Sequence, residues 1–171
     1  MPSGGPCMFE PEPGALFPNN WLRPRFRYSA PNQNLFEIRL HADNEVNDLV
    51  VYTGDTSWKM PKTMWTGLAQ HIIDAPIKVT VRGAHYDGTK LDSGPSIGQA
   101  GDFTIAPADA AGAIVYWTTS GGSSLKGFQV GDESVGTALT PPQVKMPTVN
   151  GAAVTCVGCH TSTPDSKFVG F

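Results

Sequence analysis

The sequence predicts a mainly β chain: an antiparallel β-sandwich with one short helix and a C-terminal extension. Three observations carry this expectation. Short apolar runs alternating with polar residues recur from Leu22 to Thr104 between turn signals, as half-buried strands require, because successive side chains point to opposite faces of a sheet. The chain holds 19 glycines and 15 prolines in 171 residues, and only 16% of it is charged, against about 25% in an average soluble domain. That composition argues against a helical bundle, a coiled coil or a charge-rich disordered tail. Finally, a single segment shows helical spacing.

Residues 1–16 are rich in Pro and Gly and read as an extended lead-in that packs little. Residues 17–106 form the sandwich, with strands expected at Leu22–Tyr28, Leu35–His41, Leu49–Thr53, Ile77–Gly83 and Asp102–Ile105. The clearest is Ile77–Gly83: Ile77, Val79 and Val81 share one face, and Lys78, Thr80 and Arg82 the other. The helix is expected over Pro61–Ile73, where Met64, Leu68 and Ile72 recur every four residues, Pro61 suits a first turn and Pro76 closes the segment. Met64, Trp65 and Leu68 are expected in the core. Tyr86–Gly101 reads as a loop. Residues 107–171 hold a hairpin, Ala113–Thr118 and Leu125–Val130, turning at Ser120–Ser123, and then a polar, proline-marked stretch from Gly131 to Gly151. The end, Thr163–Phe171, reads as a turn with Pro164 at its second position and a strand just beginning, so the chain is expected to continue.

The formal charge is −3 and the isoelectric point about 5.7, which gives no electrostatic basis for binding nucleic acid or an anionic membrane. No run approaches the length of a transmembrane helix, and the first thirty or so residues lack the layout of a signal peptide.

One motif carries chemistry. Cys156-Val157-Gly158-Cys159-His160 is the C-x-x-C-H pattern of covalent c-type haem attachment. On one turn of helix-like backbone, cysteines three apart point the same way and can both add to vinyl groups on one porphyrin edge. The following histidine is then placed under the iron as the proximal ligand. The expected cofactor is therefore one covalent haem c, held by Cys156, Cys159 and His160. Three other uses of the pair stay open: a zinc site, a thioredoxin-like redox pair and a structural disulfide or inert thiols. Zinc wants four ligands, and the remaining Cys7, His41, His71 and His85 show no paired spacing. A redox pair wants a βαβ setting that this pattern lacks.

For the sixth iron position the residues after His160 include neither Met nor His. Met146, upstream in Gln143–Pro147, is the first candidate metal ligand; His71, His85, water, another copy of the chain or an open position are the others. Met60, Met64 and His41 read as packing or surface residues. Cys7 reads as an incidental exposed thiol, with a bridge to another molecule or a disulfide to a part of the protein outside this chain as the alternatives. No phosphate loop, His-Glu-x-x-His or nucleophile elbow occurs.

The run Phe103–Trp117, then Leu125-Lys126-Gly127-Phe128, and Cys156–Asp165 resemble a group of exported bacterial proteins. In these a fibronectin III-like or Ig-like sandwich precedes C-x-x-C-H and a TolB-like β-propeller follows. The resemblance covers the chain from about Leu16 onward and implies an Ig/fibronectin III-like sandwich with a C-terminal haem c-binding extension, ending at the opening of a propeller strand. It also implies export, to the periplasm or the cell surface.

The leading expectation is a mono-haem c-type cytochrome domain that transfers single electrons to a redox partner protein, with an electron-transfer role favoured over a catalytic one and enzymatic activity left open. An exposed haem edge would favour pairing of copies. Two other readings remain. One is a surface binding or adhesion sandwich with a structural or sensory haem, where Trp21, Trp58, Trp65 or Trp117 would line the site. The other is a peroxidase-like or gas-binding centre with an open iron position.

Overall fold

The computed structural model describes residues 4–98, 101–144, 154–165 and 167–171; Met146 lies outside them. The chain is mainly β with one α-helix, in antiparallel and mixed sheets. It divides into two compact units, Met1–Asp109 and Ala110–Phe171. Among the described residues no helix is long and apolar enough to cross a membrane.

The N-terminal unit holds β1 (Cys7–Glu10), β2 (Ala15–Phe17), β3 (Arg25–Ser29), β4 (Leu35–Ala42), β5 (Leu49–Thr53), β6 (Ser57–Lys59), α1 (Lys62–His71), β7 (Pro76–Tyr86), β8 (Leu91–Ile97) and β9 (Gly101–Ile105). One sheet runs β1-β3-β6; the other runs β2-β9-β7-β4-β5, with β8 also paired to β7. The β2–β9 pair is parallel and its neighbours are antiparallel. Strands β4 and β7 pair without a slip from Leu35 opposite Ala84 to Ala42 opposite Ile77. That register is fixed by burial, since a one-residue slip would turn every apolar side chain outward. Phe36, Ile38, Leu40, Ile77, Val79 and Val81 are all buried in one core with Phe26 and Tyr28 of the other sheet. Phe103 is the centre of an aromatic cluster: its ring lies 5.7 Å from Phe17, 6.2 Å from Phe26 and 6.5 Å from Trp65. The edge-on and tilted geometry suits ring quadrupoles.

On the opposite face of β4 and β7 the polar residues form a network. Glu37 is only 7% exposed yet carries a carboxylate, because Arg82 grips it with two hydrogen bonds (3.1 and 2.5 Å) and Tyr52 and Arg39 donate at 3.0 and 3.3 Å. The hydrogen bond from Arg82, above all, holds the Glu37 pKa below the ordinary carboxylate value despite burial. Tyr28, whose hydroxyl donates to the Asp55 carbonyl at 2.6 Å, has its pKa pushed up to about 12, chiefly by burial and then by the Asp55 charge.

Several sequence expectations need correction. The lead-in is packed, not loose: β1 pairs with β3, β2 with β9, Pro6 is fully buried and Met8 is 5% exposed. One of its glycines serves close approach, since a Cβ on Gly5 would clash with the Ile97 carbonyl oxygen. A Cβ on Gly98 would lie on top of the Pro6 carbonyl, so that crossing tolerates only glycine. The expected loop Tyr86–Gly101 contains β8, whose residues are nearly all exposed; with no buried face it leaves no alternation to detect. Met64 is 42% exposed rather than in the core, whereas Trp65 is buried, its indole N–H donating to the Trp21 carbonyl at 2.8 Å. Pro76 opens β7 instead of closing the helix, which is capped at Ile72.

The C-terminal unit holds β10 (Ala113–Thr118), β11 (Ser124–Gln129), β12 (Gly136–Leu139), a single 3-10 turn at Pro141–Gln143, and the small hairpin β13 (Thr161–Ser162) with β14 (Val169–Gly170). The first three form an antiparallel sheet in chain order. β10 and β11 pair from Ala113 opposite Gln129 to Thr118 opposite Ser124. The turn between them needs Gly121 and Gly122, both at positive φ, 76° and 111°. β12 lies in the stretch expected to be irregular; like β8 it is largely exposed.

Candidate functional site

The segment Val154–His160 has no regular secondary structure. The helix-like turn expected for the two cysteines is therefore absent, and the segment takes its shape from tertiary bonds to the β10–β11 hairpin. The x residue of C-x-x-C is the anchor. Val157 is 3% exposed, its amide donates to Ser123 Oγ at 3.0 Å, and its carbonyl accepts from the same hydroxyl. The indole of Trp117 also donates to Ser123 Oγ, at 3.1 Å. Ser123 thus ties the hairpin turn to the motif, and Cys156 Sγ lies 3.3 Å from that hydroxyl.

With Val157 turned inward, Cys156 and Cys159 are both exposed. Gly158 sits against Trp117, where an added Cβ would be 3.7 Å from the indole, ordinary contact. Trp117 itself is 46% exposed.

His160 is half-buried, and its Nε2 lies 3.0 Å from the Val115 carbonyl oxygen on the edge strand β10. A carbonyl can only accept, so Nε2 carries the hydrogen in this arrangement. Nε2 must give up that bond, and the proton must sit on Nδ1, before this nitrogen can ligate a metal.

The donor set fits a haem c in two respects. Both thiols are open to solvent on either side of a buried anchor, and an imidazole follows directly on a half-buried position. Two adjustments are required: the cysteines must take the helix-like turn that they lack here, and Nε2 must exchange the Val115 carbonyl for iron. A compact metal ion fits less well: among the described residues no three His, Cys, Asp or Glu side chains converge on a metal-sized position, as a zinc centre requires.

The other sequence candidates fall elsewhere. His71 and His85 belong to the N-terminal unit, where His85 Nδ1 lies 2.7 Å from Asp92. His41 is held between Asp48 at 2.7 Å and Asp43 at 3.0 Å. Cys7 is an exposed residue of β1, opposite Ser29. Trp21 and Trp58 pack against the core and Trp65 is within it. Sequence reasoning missed Ser123 and Val115. A hairpin turn at Ser120–Ser123 is readable, but no local pattern ties it to a motif more than thirty residues away.

Compared with known proteins, the chain matches no family model, no curated protein and no solved structure.

Proposed function

We propose that the chain is a mono-haem c-type cytochrome domain that passes single electrons to a partner protein after export from the cytoplasm. The observation that carries this reading is the arrangement at C-x-x-C-H: a buried Val157 held by Ser123, with Cys156 and Cys159 exposed beside it and His160 next in line. Cys156 and Cys159 would hold the haem through thioether bonds, and His160 Nε2 would ligate its iron. Bound haem supplies a one-electron iron couple. The chain's own contribution is to tie the segment that carries both attachment points to the β10–β11 hairpin through Val157 and His160, which limits what moves when the charge changes.

The N-terminal unit is read as an Ig/fibronectin III-like sandwich. Its support is a three-stranded sheet and a larger sheet sharing one apolar core, with the chain crossing between them from β3 to β4, β5 to β6 and β6 to β7, the habit of Greek-key sandwiches. The haem extension is read as the C-terminal unit.

The test is expression with cytochrome c maturation machinery in the periplasm, followed by a pyridine haemochrome spectrum, potentiometric titration and carbon monoxide addition to the reduced protein. A c-type haemochrome with a reversible one-electron wave is expected. A colourless product overturns the reading. Rapid stoichiometric carbon monoxide binding replaces electron transfer with gas or peroxide chemistry at an open iron position.

A further inference from the structure

The N-terminal unit contains a cavity of about 410 Å³ between α1 and the β4–β5 side of the larger sheet, a size within the range of small-molecule sites. Its floor is apolar, with Leu40, Ala42, Ile72 and Ile77 all buried. At its rim stand Glu45, Asn47 and His71. All three are exposed to solvent, and none of their side chains makes a hydrogen bond or ion pair with another described residue, so water is the group a ligand would displace there. Glu45 is the one carboxylate of the lining, and no Lys or Arg joins it.

Gly67 gives the second observation. It lies in the interior of α1, where glycine costs about 1 kcal/mol relative to alanine. Glycine inside an element commonly answers to the close approach of a neighbour, and at a helix end to a positive φ. Gly67 has neither: its φ is not positive, and an added Cβ would meet nothing within 4 Å. It lines the cavity, and the space in front of its Cα is open.

We propose that this cavity binds a small organic cation, an apolar ring or short aliphatic body seated on Leu40, Ile72 and Ile77 with a protonated amine against Glu45. The apolar floor supplies the affinity, and the single carboxylate selects the sign of the head group. The inference concerns the N-terminal unit alone and stands whether or not haem is attached at Cys156 and Cys159.

The experiment is an amide NMR titration of the full chain with 2-(1-naphthyl)ethylamine and, separately, with 1-naphthylacetate. The amine is expected to give saturable shifts at Leu40–Leu49 and Gly67–Ile72, and the carboxylate to bind at least about tenfold more weakly. Glu45→Gln is expected to weaken the amine by about tenfold, and Gly67→Leu, which fills the space, to abolish the shifts. Gly67→Ala serves as a second variant should leucine impair folding; it is expected to raise Tm through helix propensity while weakening the amine. Absence of saturable shifts at these residues, equal binding of amine and carboxylate, or binding unchanged by both Gly67 variants overturns the proposal.

Discussion

Ser123 and Val157 are bonded to each other twice, the Ser123 oxygen accepting from the Val157 amide and its hydroxyl donating to the Val157 carbonyl. One side chain thereby satisfies both backbone polar groups of a buried residue that lies outside any ladder. Such groups are costly to leave unpaired, about 1–3 kcal/mol each.

Ser123→Ala is therefore expected to release the segment between the cysteines without unfolding the β10–β11 ladder. Hydrogen exchange at the Val157 amide should accelerate by about tenfold to a hundredfold, and exchange at Leu125 should change little. Equal protection of Val157 in both proteins would show that the segment is held by something else.

His160 offers a check on the same site before any haem is attached. Because Nε2 faces the Val115 carbonyl, the neutral imidazole should be the Nε2–H tautomer, read from nitrogen-15 shifts of the ring. In the haem-loaded protein Nε2 should lose its hydrogen. A predominant Nδ1–H tautomer in the haem-free chain would contradict the described hydrogen bond.

Stability should depend on pH through His41. Hydrogen bonds to Asp48 and then Asp43 raise its pKa above the ordinary 6.5. Its contribution is thus complete below 6.5 and is lost as pH rises through the raised folded-state value. Asp48, bonded first by His41 and then by Arg39, and Asp43, bonded first by Lys78 and then by His41, have pKa values below the ordinary 3.8. Their contributions are complete above 3.8 and are lost as pH falls through the lowered values. The cluster therefore acts in full between 3.8 and 6.5. Thermal melts at about pH 5.5 and about pH 8.5 should show a larger fall in Tm for the natural chain than for His41→Asn. An identical fall in both would remove His41 from the account.

Much of the N-terminal unit was legible because its strands bury one face. Ile77, Val79 and Val81 alternate with polar residues in the sequence and are all buried; β5, and β10 in the C-terminal unit, have the expected bounds although neither holds a buried residue. Strands β6, β8 and β12 were not, for a physical reason: they are short or exposed on nearly every residue and are held by backbone pairing, which carries no residue-type signal. The packing of residues 4–16 was hidden because glycine and proline look alike in a tail and in a tight crossing. At the candidate site, Cys156, Cys159 and His160 are singled out by spacing alone, whereas Ser123 and Val115 contact that segment from residues distant in sequence.

Glu37→Gln tests the network on the sheet face. The substitution keeps the shape of the side chain but removes the charge that accepts from Arg82, Arg39 and Tyr52. Charge-assisted hydrogen bonds contribute about 1.5–3 kcal/mol, and a loss in that range is expected in chemical denaturation. Arg82 and Arg39 stay partly exposed and can turn to solvent, so complete unfolding is not expected. An unchanged denaturation midpoint would mean that the carboxylate contributes nothing net.

The most direct test of the central claim is the intact mass of the chain matured in a periplasm that carries out cytochrome c assembly, compared with a Cys156→Ala, Cys159→Ala double variant. The account predicts a covalent mass increase of one haem in the natural chain that survives denaturation and is absent from the variant. Two proteins of bare polypeptide mass would contradict it.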